Sequence, residues 1–169
     1  DDFEGSETSI DVKPRQQWVL ASTPMGQPRL FPEADLSNNL AYGFNRAKLS
    51  WYQIDPLFLR NNSSTPNHLA NNPEEQYGHY VREIREQEIF PYKESPNNFP
   101  SYISVLNLAY YPYERGPYNF DTKPGSLAAG VDDSGYLRMP ETRWGGIMRK
   151  LSTNDFESAK VEYIEFWML

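Results

Sequence analysis

Fourteen prolines and ten glycines interrupt this 169-residue chain, and Asn pairs at 38–39, 61–62, 71–72 and 97–98 add turn signals between them. Proline has no amide N–H and a fixed φ, while Gly and Asn favour tight turns, so long regular elements do not fit between such breaks. The pattern predicts short elements joined by long connections. Apolar contact must come from the stretches in between, where aromatics dominate: 12 Tyr, 9 Phe and 4 Trp make up 15% of the chain. Rings bury large areas while keeping polar handles, which reconciles a packed core with a mean hydropathy of -0.73. A disordered acidic chain would be poor in rings. The length suits one domain, able to bury roughly two thirds of its unfolded surface around one core.

A formal charge of -7 and a pI near 4.9 oppose nucleic acid and anionic lipid surfaces as partners, since both are polyanions. The absence of cysteine excludes disulfides, thiol catalysis and Cys-ligated zinc. No apolar stretch reaches the ~18 residues that would cross a bilayer as a helix. The chain opens without an initiator Met and closes on an apolar run over residues 161–169. An uncapped strand edge of that kind invites pairing, so both ends read as cuts from a longer protein.

The spacing of residues predicts a mainly β domain with one helix. Gln17-Trp18-Val19-Leu20-Ala21 reads as a strand that stops before Pro24. Residues 25–44 read as a connection with one helical turn near 36–44. Ala47-Lys48-Leu49-Ser50-Trp51-Tyr52 alternates as a half-exposed strand ended by Asp55-Pro56. Asn72 is placed to cap a helix that begins at Pro73, with Glu74 and Glu75 in its first turn. Tyr77, Tyr80, Val81 and Ile84 would form its apolar stripe, Arg82 and Glu86 would pair on its surface, and Pro91 would stop it. Residues 102–111 are apolar on both faces, as in a covered strand ending at Pro112. Further strands are expected over residues 146–151 and from residue 161 onward.

Several segments resemble the SprA/Sov family. They are Asp1-Asp2-Phe3-Glu4-Gly5-Ser6, Trp18-Val19-Leu20-Ala21-Ser22-Thr23-Pro24, Tyr42-Gly43-Phe44-Asn45-Arg46-Ala47-Lys48-Leu49-Ser50-Trp51-Tyr52, Ile54-Asp55-Pro56-Leu57-Phe58 and His79-Tyr80-Val81-Arg82-Glu83-Ile84. Tyr110-Tyr111-Pro112-Tyr113-Glu114-Arg115-Gly116-Pro117-Tyr118-Asn119, Arg143-Trp144-Gly145-Gly146-Ile147-Met148-Arg149 and Glu162-Tyr163-Ile164-Glu165-Phe166-Trp167 follow in order over nearly the whole chain. The family consists of very large outer-membrane barrels that export folded cargo by type IX secretion in Bacteroidota and serve gliding motility. The resemblance implies a single extramembrane domain, periplasmic or at the cell surface. Its opening Asp-Phe-Glu-Gly and its Ile-x-Phe-Trp run, residues 164–167, are similar to elements of galactose-binding-like jelly-roll β-sandwiches. On that reading residues 1–24 and 143–169 supply sandwich strands, residues 25–142 are a long insertion carrying a helix near 73–89, and the sandwich is incomplete. The partners implied are the rest of the translocon barrel, a PorV-like shuttle protein, a plug protein and exported cargo.

Chemistry is sparse. His68 and His79 are the only histidines, so a transition-metal site would need converging carboxylates. Asp1, Asp2 and Glu4 offer oxygens to calcium, yet calcium takes roughly 6–8 of them and no EF-hand spacing is present, so a solvated turn is the default. No cofactor is expected, and with nothing like a nucleophile elbow no enzyme is expected either. Tyr110, Tyr111, Tyr113, Arg115 and Tyr118 concentrate the residue types that anchor protein interfaces. Either they form such an interface, or Arg115 pairs with Glu114 or a carbonyl and the tyrosines pack internally. Arg143 and Trp144 are candidates for cation-on-ring stacks at the same kind of surface. A carbohydrate-binding sandwich, with exposed aromatic platforms, is the alternative from a different class; barrel-wall strands near 102–111 are a third.

Overall fold

The computed structural model describes residues 11–94, 99–151, 155, 157–158 and 166–168. The architecture is mainly β with a few short helices. In chain order the elements are β1 (Val19–Leu20), β2 (Ala47–Tyr52), α1 (Pro56–Leu59), α2 (Pro73–Gln76), β3 (Ile84–Arg85), α3 (Glu86–Ile89), β4 (Tyr102–Ile103), β5 (Asn107–Arg115) and β6 (Ile147–Met148). Three two-stranded sheets result, pairing β1 with β6, β2 with β5 and β3 with β4. The single core expected for this length is replaced by two compact units: residues 1–15, 52–107 and 151–169 form unit 1, and residues 16–51 and 108–150 form unit 2.

In unit 1, Asp55 caps α1 by accepting from the Leu57 N–H at 2.9 Å, and Pro56 supplies the fixed φ of the first position. The Asn-rich loop that follows is ordered by its own side chains. Asn61 Oδ1 accepts from the Asn71 N–H at 2.8 Å and from the buried Gln76 at 3.0 Å, and the buried Thr65 hydroxyl donates to Arg60 O at 2.5 Å. β3 and β4 run antiparallel with Ile84 opposite Ile103 and Arg85 opposite Tyr102. Leu59 and Ile84 are the buried apolar residues of this unit among those described.

The helix expected near residues 73–89 is corrected. Its start is as anticipated: Asn72 Oδ1 accepts from the Glu75 N–H at 3.4 Å and Pro73 opens α2. After one turn, however, Tyr77 leaves helical geometry at φ -112, and the chain reaches β3 and a separate turn, α3. The supposed apolar stripe is split: Tyr77 and Tyr80 are 66% and 80% exposed, while Ile84 is buried opposite Ile103. Gly78 weakens the middle of the segment by about 1 kcal/mol relative to Ala. Arg82 accordingly pairs with Glu88 rather than Glu86, which pairs with Lys93.

In unit 2, β1 and β6 are antiparallel, with Val19 opposite Met148 and Leu20 opposite Ile147, and the Ala21 N–H extends the ribbon to Gly146 O at 3.0 Å. β2 has the predicted bounds. β5 passes straight through Pro112, the expected stop, because a φ near -65° is compatible with extended chain; that residue contributes a carbonyl but no donor. The helical turn expected near 36–44 is a 3-10 turn, Leu40–Gly43, capped by Asn39, whose Oδ1 accepts from the Ala41 N–H at 2.9 Å. The strand from residue 161 and the acidic start at Asp1, Asp2 and Glu4 lie outside the described residues, apart from the exposed Phe166, Trp167 and Met168.

Candidate functional site

Unit 2 is built around buried charge. Its buried apolar residues are small or few, namely Ala34, Ala41, Ala47, Ala128 and Leu137, while Thr23, Glu33, Asn45, Arg46, Asn119, Asp121 and Arg143 are buried as well. Burying a charge is costly unless it is paired and hydrogen-bonded. Arg143 meets that condition: its side chain is 0% exposed and its Nη1 lies 3.2 Å from Asp121 Oδ2. The same guanidinium donates to Phe44 O at 2.8 Å, Gly130 O at 3.0 Å and, through Nε, Arg138 O at 3.0 Å. Asn45 Oδ1 lies within 3.3 Å. The planar fork of five donors thus ties four separate stretches of backbone and side chain together.

Asparagines complete the cluster. Asn119 Nδ2 donates to Phe44 O at 2.8 Å and Arg46 O at 2.6 Å, and its Oδ1 accepts from the Asp121 N–H at 2.9 Å. Asn45 Nδ2 donates to Leu127 O at 2.9 Å, and the Gly130 N–H donates to Asp121 Oδ2 at 3.0 Å. Beside this, Arg46 stacks on Trp144, its Cζ 5.1 Å from the ring centroid, and donates to Pro117 O and Ala21 O. Burial pushes the Arg46 guanidinium below its ordinary pKa, while Tyr42, Tyr118 and Glu33 act in the opposite sense. Trp144 Nε1 donates to Glu33 Oε1 at 3.1 Å, and Phe31 meets the indole edge-on at 5.5 Å.

Arg143 is therefore not an interface residue, because no partner can reach a guanidinium enclosed on every side. Trp144 is half-buried and does take part in a cation-on-ring stack, with Arg46 as the cation. Tyr110 donates its hydroxyl to Arg143 O at 2.8 Å, and desolvation raises its pKa above the ordinary 10.0, against a smaller opposite effect of Arg143. Tyr111, Tyr113, Arg115 and Tyr118 are exposed. Glu114 pairs with Lys48 at 2.6 Å instead of Arg115, and Lys48 also stands 4.6 Å from the Tyr111 ring centroid. The Glu114 hydrogen bond raises the Lys48 pKa. Sequence reasoning missed Glu33, Asn45, Arg46, Asn119 and Asp121. Their partners lie up to 111 residues away, and only the Asn45, Arg46 and Asn119 positions carried a signal, as members of the family-like segments.

Among the described residues no three His, Cys, Asp or Glu side chains come together as a ligand set for a metal, and no helix is long and apolar enough to cross a membrane. A shallow depression lined by Leu36, Asn38, Asn39, Leu40 and Tyr42 opens to solvent without a convergent set of charges. No protein-family model matches the chain, and no curated protein sequence matches it significantly.

Proposed function

We propose that the chain is a non-catalytic structural and interaction domain of an outer-membrane translocon of the SprA/Sov type, serving type IX protein secretion and gliding motility. One observation carries this reading: the segments that resemble the family, at residues 18–24, 42–52, 110–119 and 143–149, contribute side chains or carbonyls to a single polar cluster. Ala21, Phe44, Asn45, Arg46, Pro117, Asn119, Arg143 and Trp144 are joined there by hydrogen bonds or ring contacts. Residues that join distant segments into one frame are what a scaffold requires. The buried charges are turned on each other and on backbone carbonyls, while β5 presents rings and a guanidinium outward. The antiparallel pairing of β1 with β6 supports the finer expectation that residues 1–24 and 143–169 are flanking strands of a galactose-binding-like jelly roll interrupted by residues 25–142.

In this reading the domain occupies the extramembrane part of the outer-membrane protein, and its partners are the barrel itself, a PorV-like shuttle protein, a plug protein and cargo. The test is affinity purification of a tagged parent protein from detergent-solubilised outer membranes. Copurification of a shuttle protein, and secretion lost on deleting residues 16–150, are expected. Recovery of the parent in the cytosolic fraction, or secretion unaffected by the deletion, would refute it. The exposed rings of Tyr113 and Tyr118 favour a second reading, a carbohydrate-binding module. Saturable binding on a glycan array would select it.

A further inference from the structure

From residue 111 to 115, β5 alternates between exposed and half-buried positions, with Tyr111, Tyr113 and Arg115 exposed at alternate places and Pro112 and Glu114 half-buried between them. Alternate side chains of a strand repeat about every 7 Å, the spacing at which an extended peptide presents its own alternate residues. Arg115 makes no ion pair among the described residues, whereas the neighbouring Lys48 and Glu114 neutralise one another. A second cation flanks the strip: the Leu137 N–H donates to Tyr113 O at 2.8 Å, and the next residue, Arg138, is exposed and outside every ion pair among those residues. Nearby Asp132 is engaged locally, its Oδ1 accepting from the Ser134 and Tyr136 N–H groups at 2.9 Å.

Charge is also unevenly shared between the two units. Unit 2 holds nine of the 16 Lys and Arg against seven of the 23 Asp and Glu, a formal +2, and unit 1 holds the rest, a formal -9. The outward face of β5 thus carries the unpaired Arg115, with Arg138 beside it, in the less acidic of the two units.

We propose that Tyr111, Tyr113 and Arg115, flanked by Arg138, form a docking strip for an extended acidic polypeptide segment. The rings supply amphipathic contact area at low entropic cost, and the guanidinium takes a carboxylate in a bidentate bond. The inference deepens the proposed function by giving the chemistry of a partner, and it rests on that reading only for the partner's role.

The test uses the 169-residue chain and two end-blocked octapeptides, one alternating Asp with Thr and one alternating Lys with Thr. Titration followed by NMR should show saturable shifts at β5 with the Asp peptide, weakening as salt rises. Tyr113→Ala and Arg115→Glu should each weaken binding about tenfold or more, and Arg115→Glu should bind the Lys peptide better than the parent chain does. Both side chains are exposed, so unchanged circular dichroism and urea midpoints are expected and separate lost binding from lost fold. Equal binding of the two peptides, no effect of Arg115→Glu in a folded chain, or saturable binding of a neutral oligosaccharide at the same face would overturn the proposal. Failure here with copurification of the shuttle intact would remove the strip alone; failure of copurification with peptide binding intact would remove only the translocon reading.

Discussion

Arg143 occupies a position where every alternative is worse. Removing it strands Asp121, whose side chain is 1% exposed, takes its donor from the Arg138 carbonyl and takes one of two donors from the Phe44 and Gly130 carbonyls. Breaking a buried pair from one side typically costs about 3–5 kcal/mol, so Arg143→Ala should lower the unfolding free energy of unit 2, measured by urea titration, by an amount of that size. Arg143→Lys should recover less than half of the loss, since an ammonium cannot reproduce the fork. Tyr110 is a milder case. Tyr110→Phe removes the bond to Arg143 O and should cost about 1 kcal/mol. It should also delete one tyrosine from the ultraviolet alkaline titration, the one that ionises above 10.0 in the folded chain. Because unfolded chain releases that proton first, this group makes stability fall as pH rises from 10.0 through the folded value, and the fall should be absent in Tyr110→Phe.

Elements in this protein form where the side-chain pattern finds something to bury against. β2 was readable from sequence because Ala47, Leu49 and Trp51 alternate with polar residues, and the α2 start because a capping side chain precedes a proline; Asp55-Pro56, which opens α1 in the same way, was read only as the end of β2. The helix over 73–89 was not, because periodicity describes a stripe and says nothing about whether another surface covers it; Ile84 finds Ile103, and Tyr77 and Tyr80 find solvent. The polar cluster was equally hidden, since its members are ordinary Asn, Asp and Arg until chain segments 22 to 98 residues apart meet. At the crossing of β5 with the start of β2, Gly116 is needed for close approach: a Cβ there would collide with Ala47 O and lie 2.9 Å from Arg46 Cγ. Gly116→Ala should therefore destabilise by about 1–3 kcal/mol, measured by thermal unfolding. In α3, Glu86 is held below its ordinary pKa of 4.5 by Lys93, and Glu88 by the Arg85 N–H and Arg82. Depressed carboxylates stabilise above the unfolded value, so this contribution is lost as pH falls from 4.5 through the folded values. Amides of β3 and α3 should lose hydrogen-exchange protection over that interval, and Lys93→Ala should diminish the effect.

Two units of different character make up the molecule. Among the described residues, the buried apolar side chains of unit 1 are Leu59 and Ile84 and its ion pairs, such as Arg60 with Glu83, lie at the surface, whereas unit 2 holds the buried Arg143–Asp121 pair. Regions with few buried apolar contacts open first, so hydrogen exchange and limited proteolysis should attack residues 52–107 before β2 and the 108–115 stretch of β5. Uniform protection of both units would contradict this. The long reach of the Arg143 contacts also sets a timetable. Acceptors on Phe44, Asn45, Asp121 and Gly130 are made before residue 143 leaves the ribosome, and until it arrives they lack the guanidinium that joins them. The interior of unit 2 is therefore completed late, once residue 143 joins segments made earlier.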